Sequence, residues 1–585
     1  MRAFSLWRSV VICVALAATQ TNADVHRVDL SAPPGGDGSS WARAFDSLTD
    51  GLAAASSGDQ VWISKGTYTP ETPAGRDATF NIPDGVQVYG GFEGNESSLS
   101  QRGDPLDPPA VLSGRLPSGL QTYSVVTLNA VGPGTILDGV MICDGLADGA
   151  GGARSNGAGI YADDSAPTLR NLVISDCVAG GAGGGIYLGG ASADFANIAD
   201  CRFLENTCGQ TGGAMLAYVS TTVQRCEFIA NTAPSGGAIR FIGIGVNTVD
   251  DCFFRRNEAT GGSGPAIYTA MSAGSFTFTT NSEFRENSGL SGGALEIAGQ
   301  GDHAVRSCRF FANQATNAGA GAIDFDAFAP GPRLAVEISL FTGNTCTGGV
   351  GAILNAGEGE LNVINCTIAM NTSTGLSGGV LATGGQTFVN NTIIWGNDST
   401  SQSGQYDSIR HTGLAVLWVN HTIIQGLGVG GTPLAGVNTS GNDPLFTDIE
   451  GADNTPGTTD DNARLSPGSP AIDGGFNLYL DPATTLDIHN APRYADDIGT
   501  PDTGTGDGVN PVVDLGAAEF QGVTPFPCSV ADQAEPYHVL DFSDVVTFLG
   551  ALDAMDPAAD LAPPIGVFDF SDLVEYLAAF GAGCP

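Results

Sequence analysis

Two adjacent carboxylate pairs, Asp163-Asp164 and Asp250-Asp251, come nearest in this chain to the paired acids that glycoside hydrolysis needs. Neither is followed by a Gly-His-Gly segment. Arg255 and Arg285 each follow a phenylalanine, with Arg256 and Glu286 beside them. An arginine next to a carboxylate could act as the base of an eliminative cleavage, but the commoner use is a solvated ladder of ion pairs. His303 lies in a segment that reads as a loop, and His411 and His421 follow further on. None of the three has a partner at metal-ligand spacing. The acidic stretches 453–461 and 496–507 have the oxygen chemistry for structural calcium yet match no calcium repeat. These residues assign no catalytic group, and the reading leans away from an enzyme.

The charge balance narrows the partners. Lys and Arg total 22 against 62 Asp and Glu, a formal net charge of −40, and Lys65 is the only lysine. Nucleic acid is excluded, because neutralising phosphates needs a basic face. A bare polyanionic polysaccharide is awkward unless cations intervene. With 14% charged and 42% hydrophobic residues the chain buries a core. Residues 1–23 read as a Sec-type signal peptide: Arg2 and Arg8, an apolar stretch over 10–18, and Thr21-Asn22-Ala23 before a cleavage after Ala23. Cys13 follows Ile12, which argues against a lipoprotein, and the mature chain has no segment of membrane-spanning length. The expected location is secreted or cell-surface.

What positions these groups is a repeat. Phe-x-x-Asn recurs at Phe203–Asn206, Phe228–Asn231, Phe254–Asn257, Phe284–Asn287, Phe310–Asn313 and Phe341–Asn344, and Ile368–Asn371 and Ile394–Asn397 continue it. The Asn-to-Asn steps are 25, 26, 30, 26, 31, 27 and 26 residues. Gly-Gly and a small-aliphatic pair follow, as in Gly212-Gly213-Ala214-Met215, Gly236-Gly237-Ala238-Ile239 and Gly292-Gly293-Ala294-Leu295, with Gly321-Ala322-Ile323 a looser copy. No repeat unit has a helical period; each holds short β-branched or aromatic strands between Gly and Asn turns. One unit is a coil of parallel β-helix, and stacking buries what a single coil cannot. The phenylalanines form an inward aromatic ladder and the asparagines an amide ladder at a turn.

The paired motifs over residues 136–397 resemble the chlamydial polymorphic outer-membrane proteins and, more broadly, bacterial right-handed β-helix proteins of the pectin-lyase-like class. The resemblance implies a right-handed solenoid and, for the chlamydial family, an adhesive passenger. The C-terminal membrane strands of that family are lacking, so autotransport is not expected. At the N-terminus a helix from Ser40 to about Ala55, with Trp41, Phe45, Leu48 and Leu52 on one face, is expected to cap the solenoid before a first strand at Val61-Trp62-Ile63. Asp443-Pro444-Leu445-Phe446, the run Leu465 to Asp473, and Asp514-Leu515-Gly516-Ala517-Ala518-Glu519 resemble the closing region of secreted β-helix proteins with interchangeable anchors. That implies surface attachment.

After a linker at residues 523–527, two copies of an acidic loop and helix lie 28 residues apart. The helices carry apolar Val545, Leu549 and Leu552, then Leu573, Leu577 and Phe580. The copies resemble dockerin modules, in a variant ending near Gly583-Cys584. The resemblance implies calcium in each loop, held by Asp532, Asp541 and Asp544 and by Asp560, Asp569 and Asp572, and a cohesin-like or cell-surface anchoring partner. Ala534 and Pro536 stand where oxygen ligands usually fall and the turn glycine is missing. The alternative is helix capping by Asp541 or Ser543 and by Asp569 or Ser571. The expected organisation is thus signal peptide 1–23, capped parallel β-helix 24–440, closing region 441–522, linker 523–527 and dockerin-like domain 528–585.

Cys201, Cys226, Cys252, Cys308 and Cys366 each precede a ladder Asn by five residues, with Ser282 and Ser339 in the same slot elsewhere. Such a column favours buried thiols over disulfides. Cys528 and Cys584 bracket the small terminal module, where a bridge is expected. Two functions stay open: a non-catalytic β-helix for adhesion or glycan binding, anchored through its terminal module, or a polysaccharide lyase or glycoside hydrolase in a dockerin-linked assembly.

Overall fold

A computed structural model describes residues 23–70, 75–107, 109–190, 194–401, 403–429, 434–497, 500–522, 531, 542–555, 559, 561–562 and 570–582. The expected signal peptide up to Asn22, and Cys528, Cys584, Asp532, Asp541, Asp560 and Asp569, lie outside these residues. Contacts divide the chain into two compact units, Met1–Phe276 and Thr277–Pro585.

Both units are stacks of parallel β coils. In the first, one coil runs through strands Ala196–Ala199, Arg202–Leu204, Thr207–Cys208 and Met215–Ala217. Each pairs in parallel with its counterpart one coil on, Thr221–Gln224, Glu227–Ile229, Thr232–Ala233 and Ile239–Gly243. These positions define a first, second, third and fourth sheet. Parallel register places each phenylalanine of the second sheet on the next. Phe203, Phe228 and Phe254 stack with centroids 4.7 Å apart and planes within 4°. Phe284, Phe310 and Phe341 repeat the arrangement in the second unit at 4.8 and 4.7 Å.

The asparagines fix the turn that follows. The residue before each Asn is left-handed even where it is not glycine: Glu205, Ala230 and Arg256 have φ of 55°, 55° and 53°. That conformation costs roughly 1–2 kcal/mol for an L-residue. Amide bonding offsets it. Asn231 donates through Nδ2 to the Phe203 carbonyl at 2.9 Å and to Asn257 Oδ1 at 3.0 Å. Its own Oδ1 accepts from the Asn206 amide and Nδ2 at 3.0 and 3.1 Å. The second glycine of the Gly-Gly pair marks a close backbone approach: a Cβ on Gly213 would lie 2.2 Å from the Gly237 carbonyl oxygen. The cysteine column is internal. Cys201 and Cys226 are buried thiols outside any disulfide, and burial pushes Cys366 up to about 12, which keeps it inert.

Three sequence expectations are corrected. The N-terminal helix is split into a tight turn Trp41–Arg43 and a helix Leu48–Ala54, capped by Ser47, whose Oγ accepts from the Asp50 amide at 3.3 Å. Phe45, between them, is extended because its backbone pairs with Arg27 and Asp29. The first strand is Val25–Val28, parallel to Gln60–Ser64, ahead of the expected Val61-Trp62-Ile63. His303 lies in strand Asp302–Arg306 and not in a loop; its ring is buried, and burial lowers its pKa to about 3.

The closing region folds back along the coils of its own unit. Val513, Ala517, Ile488 and Leu480 pack on Phe311, Ile338 and Leu340. Asn365 Nδ2 donates to the Asp514 carbonyl at 2.9 Å, and Asn391 Nδ2 to the Phe476 carbonyl at 3.0 Å. At its heart Arg493 is fully buried, donating to the Asp514 and Gly516 carbonyls at 2.8 and 2.9 Å and lying 3.3 Å from Glu519.

In the terminal module, helices Phe542–Asp553 and Phe570–Ala582 meet through Phe548 and Tyr576, whose rings stack at 4.0 Å. Leu549 and Leu577, expected on the apolar face, are 45% and 49% exposed. Phe548 and Tyr576, one position earlier, take those core places, packed with the expected Val545, Leu552, Leu573 and Phe580. No described helix is long and apolar enough to cross a membrane.

Candidate functional site

The repeats are uniform inside and variable outside. The residue after the small-aliphatic pair points outward from the fourth sheet, and its identity changes from coil to coil. In the first unit this column holds Tyr161, Tyr187, Leu216, Arg240 and Tyr268 in successive register. The Tyr161 and Tyr187 rings stack at 5.3 Å, 5° from parallel, and Tyr218 stands 6.1 Å from Tyr187. Tyr161 and Tyr187 are half-buried and Tyr218 is exposed. Burial, with Asp163 and Tyr187 adding to it, pushes the Tyr161 phenol up to about 12, so its hydroxyl remains a donor. The Arg240 guanidinium lies 4.4 Å from the Tyr268 ring centroid, and its Nη1 donates to Thr211 Oγ1 at 3.1 Å. Asp163 ends strand Ile160–Asp163 beside Tyr161, so the Asp163-Asp164 pair belongs to this aromatic surface, with Asp164 turned into the left-handed region at φ 47°. A row of aromatic rims and phenol hydroxyls with a carboxylate alongside can contact the apolar side of a sugar while binding its hydroxyls.

In the second unit the same column carries acids. Glu296 and Asp324 are register partners on strands Leu295–Gly299 and Ile323–Ala327, and Asp326 lies two residues on. Asp324 points outward yet is buried, in a sheet where the apolar cluster of Ala320, Val350, Leu354 and Leu381 packs close by. Burial first, then the charges of Glu296 and Asp326, push Asp324 up to about 8. Two in-register carboxyls, one of them pushed up by burial and by its neighbours' charge, have the composition of an acid–base pair. The sequence search for adjacent acids missed it. The signal was available: Leu295-Glu296 and Ile323-Asp324 occupy one slot of consecutive repeats.

The other singled-out residues are dispersed. Arg285 pairs with Glu283 and lies 5.6 Å from the Phe311 ring. Arg202 bonds Glu227 at 2.8 Å and Arg225 bonds Asp200 at 2.7 Å, both exposed, which is the ion-pair ladder between coils. Asp251 takes the left-handed turn before Cys252. His421 lies between the Gly474 carbonyl at 3.3 Å and Asn438 Nδ2 at 3.1 Å, without a metal-ligand partner among the described residues. Of the dockerin-like set only Asp544 and Asp572 are described, both buried. Asp572 Oδ1 accepts from the Leu561 and Ala562 amides, each at 2.8 Å. That oxygen ties the loop to the helix as a cap does, and a cation would compete with two donors for it.

Comparison with known proteins agrees with the architecture. Residues 156–329 match the family described as "Right handed beta helix region", which gives these coils their hand. No curated protein matches the chain. Among solved structures, "Crystal structure of pectate lyase Pel9A" is similar at 13% identity, over 85% of this chain and 96% of that one, with a TM-score of 0.32. That likeness is too loose to bear on chemistry.

Proposed function

We propose that this protein is an exported right-handed β-helix that binds neutral polysaccharide on the outer face of the fourth sheet in its first unit. The observation that carries the reading is the parallel stack of Tyr161 on Tyr187 with Asp163 at its edge. The net charge of −40 favours neutral over acidic glycans. Export would use residues 1–23, and the dockerin-like residues 528–585 would hold the protein to a cohesin-like or cell-surface partner. In the full chain, Asp541→Asn with Asp569→Asn reads whether that attachment needs calcium or only caps.

The purified protein should be screened against neutral and acidic polysaccharides for binding and for cleavage. Tyr161→Ala with Tyr187→Ala should weaken binding to the neutral ligand by about tenfold or more, the loss of roughly 1.4 kcal/mol of contact. Unchanged binding overturns the assignment. A second reading, glycoside hydrolysis, rests on Asp324 kept neutral beside Glu296. It requires cleavage that Glu296→Gln and Asp324→Asn each abolish, and no cleavage of any member of the panel removes it.

A further inference from the structure

Among the described residues outside the coils, one group of acids converges without a balancing charge. Asp473, Asp496 and Asp502 each present a carboxylate oxygen within 4.8 Å of the others. Asp496 and Asp502 are exposed, but Asp473 is fully buried. Neither Asp473 oxygen accepts a hydrogen bond of proper geometry. Its backbone, by contrast, is fully used: the amide donates to Asp514 Oδ1 at 2.7 Å, and the carbonyl accepts from the Thr503 and Gly504 amides at 3.0 and 2.8 Å. Those bonds clamp the residue in a left-handed conformation and leave its carboxylate facing Asp496 and Asp502.

A buried carboxylate without a donor or counter-charge is costly. The charges acting on Asp473 are Asp496, Asp502 and Asp497, all of one sign, and only the Asp497 amide opposes them. Asp497 is engaged elsewhere, its Oδ2 accepting from Thr500 Oγ1 at 2.7 Å. Hard divalent cations reverse this balance. Calcium takes six to eight oxygens at about 2.3–2.6 Å, so ligands on opposite sides of one ion are about 5 Å apart. The spacing of the three oxygens suits an ion among them, and the exposed side leaves room for water to complete its shell. Magnesium, bound at about 2.0–2.1 Å, is usually held by one or two carboxylates and several waters, so a set of three carboxylates favours calcium.

We propose that Asp473, Asp496 and Asp502 form a calcium site that ties Asp496 and Asp502 to the turn ending at Asp473. The site closes the region that packs along the coils and is independent of the glycan-binding surface.

The test uses the full chain carrying Asp541→Asn and Asp569→Asn, so that the terminal module does not contribute. After metal removal, calcium well above its dissociation constant should raise the melting temperature by about 5 °C, and titration calorimetry should show one site. Asp473→Asn should abolish the shift, yet melt in chelator at or above its parent, because one crowded charge is gone. That crossover is not expected of a residue that matters only for packing. If Asp473→Asn does not fold, Asp496→Asn with Asp502→Asn, both exposed, should abolish the shift instead. Absence of calcium heat and of any melting shift overturns the site, as does a calcium shift that survives these substitutions. An equal response to magnesium overturns the choice of ion.

Discussion

The second and fourth sheets are built from the same repeats, yet they use them in opposite ways. In the second sheet the coils from Phe203 to Phe341 offer the same side chain to the interior, with isoleucines on the coils either side, and identity is the source of stability: a phenylalanine stacks best on another phenylalanine in register. In the fourth sheet the outward slot changes from Tyr to Leu, Arg, Glu and Asp. Parallel register, which makes identical residues into a ladder, here brings unlike residues into contact and so creates chemistry. A solenoid can vary one column without disturbing another, because each column meets its own kind across coils.

Five changes would break or sharpen that contrast. Phe228→Ala should have the largest effect, destabilising by about 3–5 kcal/mol, because it empties a site between two stacked rings in the core. Chemical denaturation measures it, and a loss below about 1 kcal/mol would remove the second sheet's ladder from the account. Asn231→Ala should cost about 2–3 kcal/mol by stranding the Asn206 amide and neighbouring carbonyls inside the turn. A melting curve superimposable on the parent's would contradict the amide ladder.

The third change works through pH. Asp324 keeps its proton in the folded chain up to about 8, whereas in the unfolded chain it ionises near 3.8. Between those values the unfolded state binds fewer protons, so stability falls as pH rises through the window and levels off above it. Asp324→Asn should flatten that slope in urea midpoints measured from pH 5 to 9. His303 acts with opposite sign at lower pH. Its folded value of about 3 lies below the ordinary 6.5, so stability is lost as pH falls between them. His303→Leu should remove that acid-side loss. The smallest effect on stability belongs to Tyr161→Ala with Tyr187→Ala. Loss of these half-buried outward rings should shift the melting temperature by no more than a few degrees while weakening the proposed glycan binding. A large destabilisation would show that the fourth sheet's aromatic column serves the fold, as the second sheet's does.

The sequence by itself determined the coils. Period, Phe ladder, Asn turn and thiol column were all legible, because each depends on a residue meeting its own copy one repeat later, and the repeat length supplies that pairing. The terminal helices are legible as amphipathic, and Val545, Leu552, Leu573 and Phe580 do face the partner helix, but the central places belong to Phe548 and Tyr576 and not to Leu549 and Leu577. Helical periodicity fixes a stripe only to within a neighbouring position, and the partner helix decides the rest. Phe45 was read as helical because its spacing suited a helix; backbone pairing with Arg27 and Asp29, distant in sequence, made it extended. Only the tertiary structure could show that Glu296 and Asp324, 28 residues apart, share a register, or that Asp324 is buried despite pointing outward. The same is true of Asp473, whose motif marked a closing region while its acidic partners come from a loop more than twenty residues further on. A carboxylate's protonation, and its readiness for a cation, depend on which charges and donors the fold sets around it, and that neighbourhood is not encoded in local spacing.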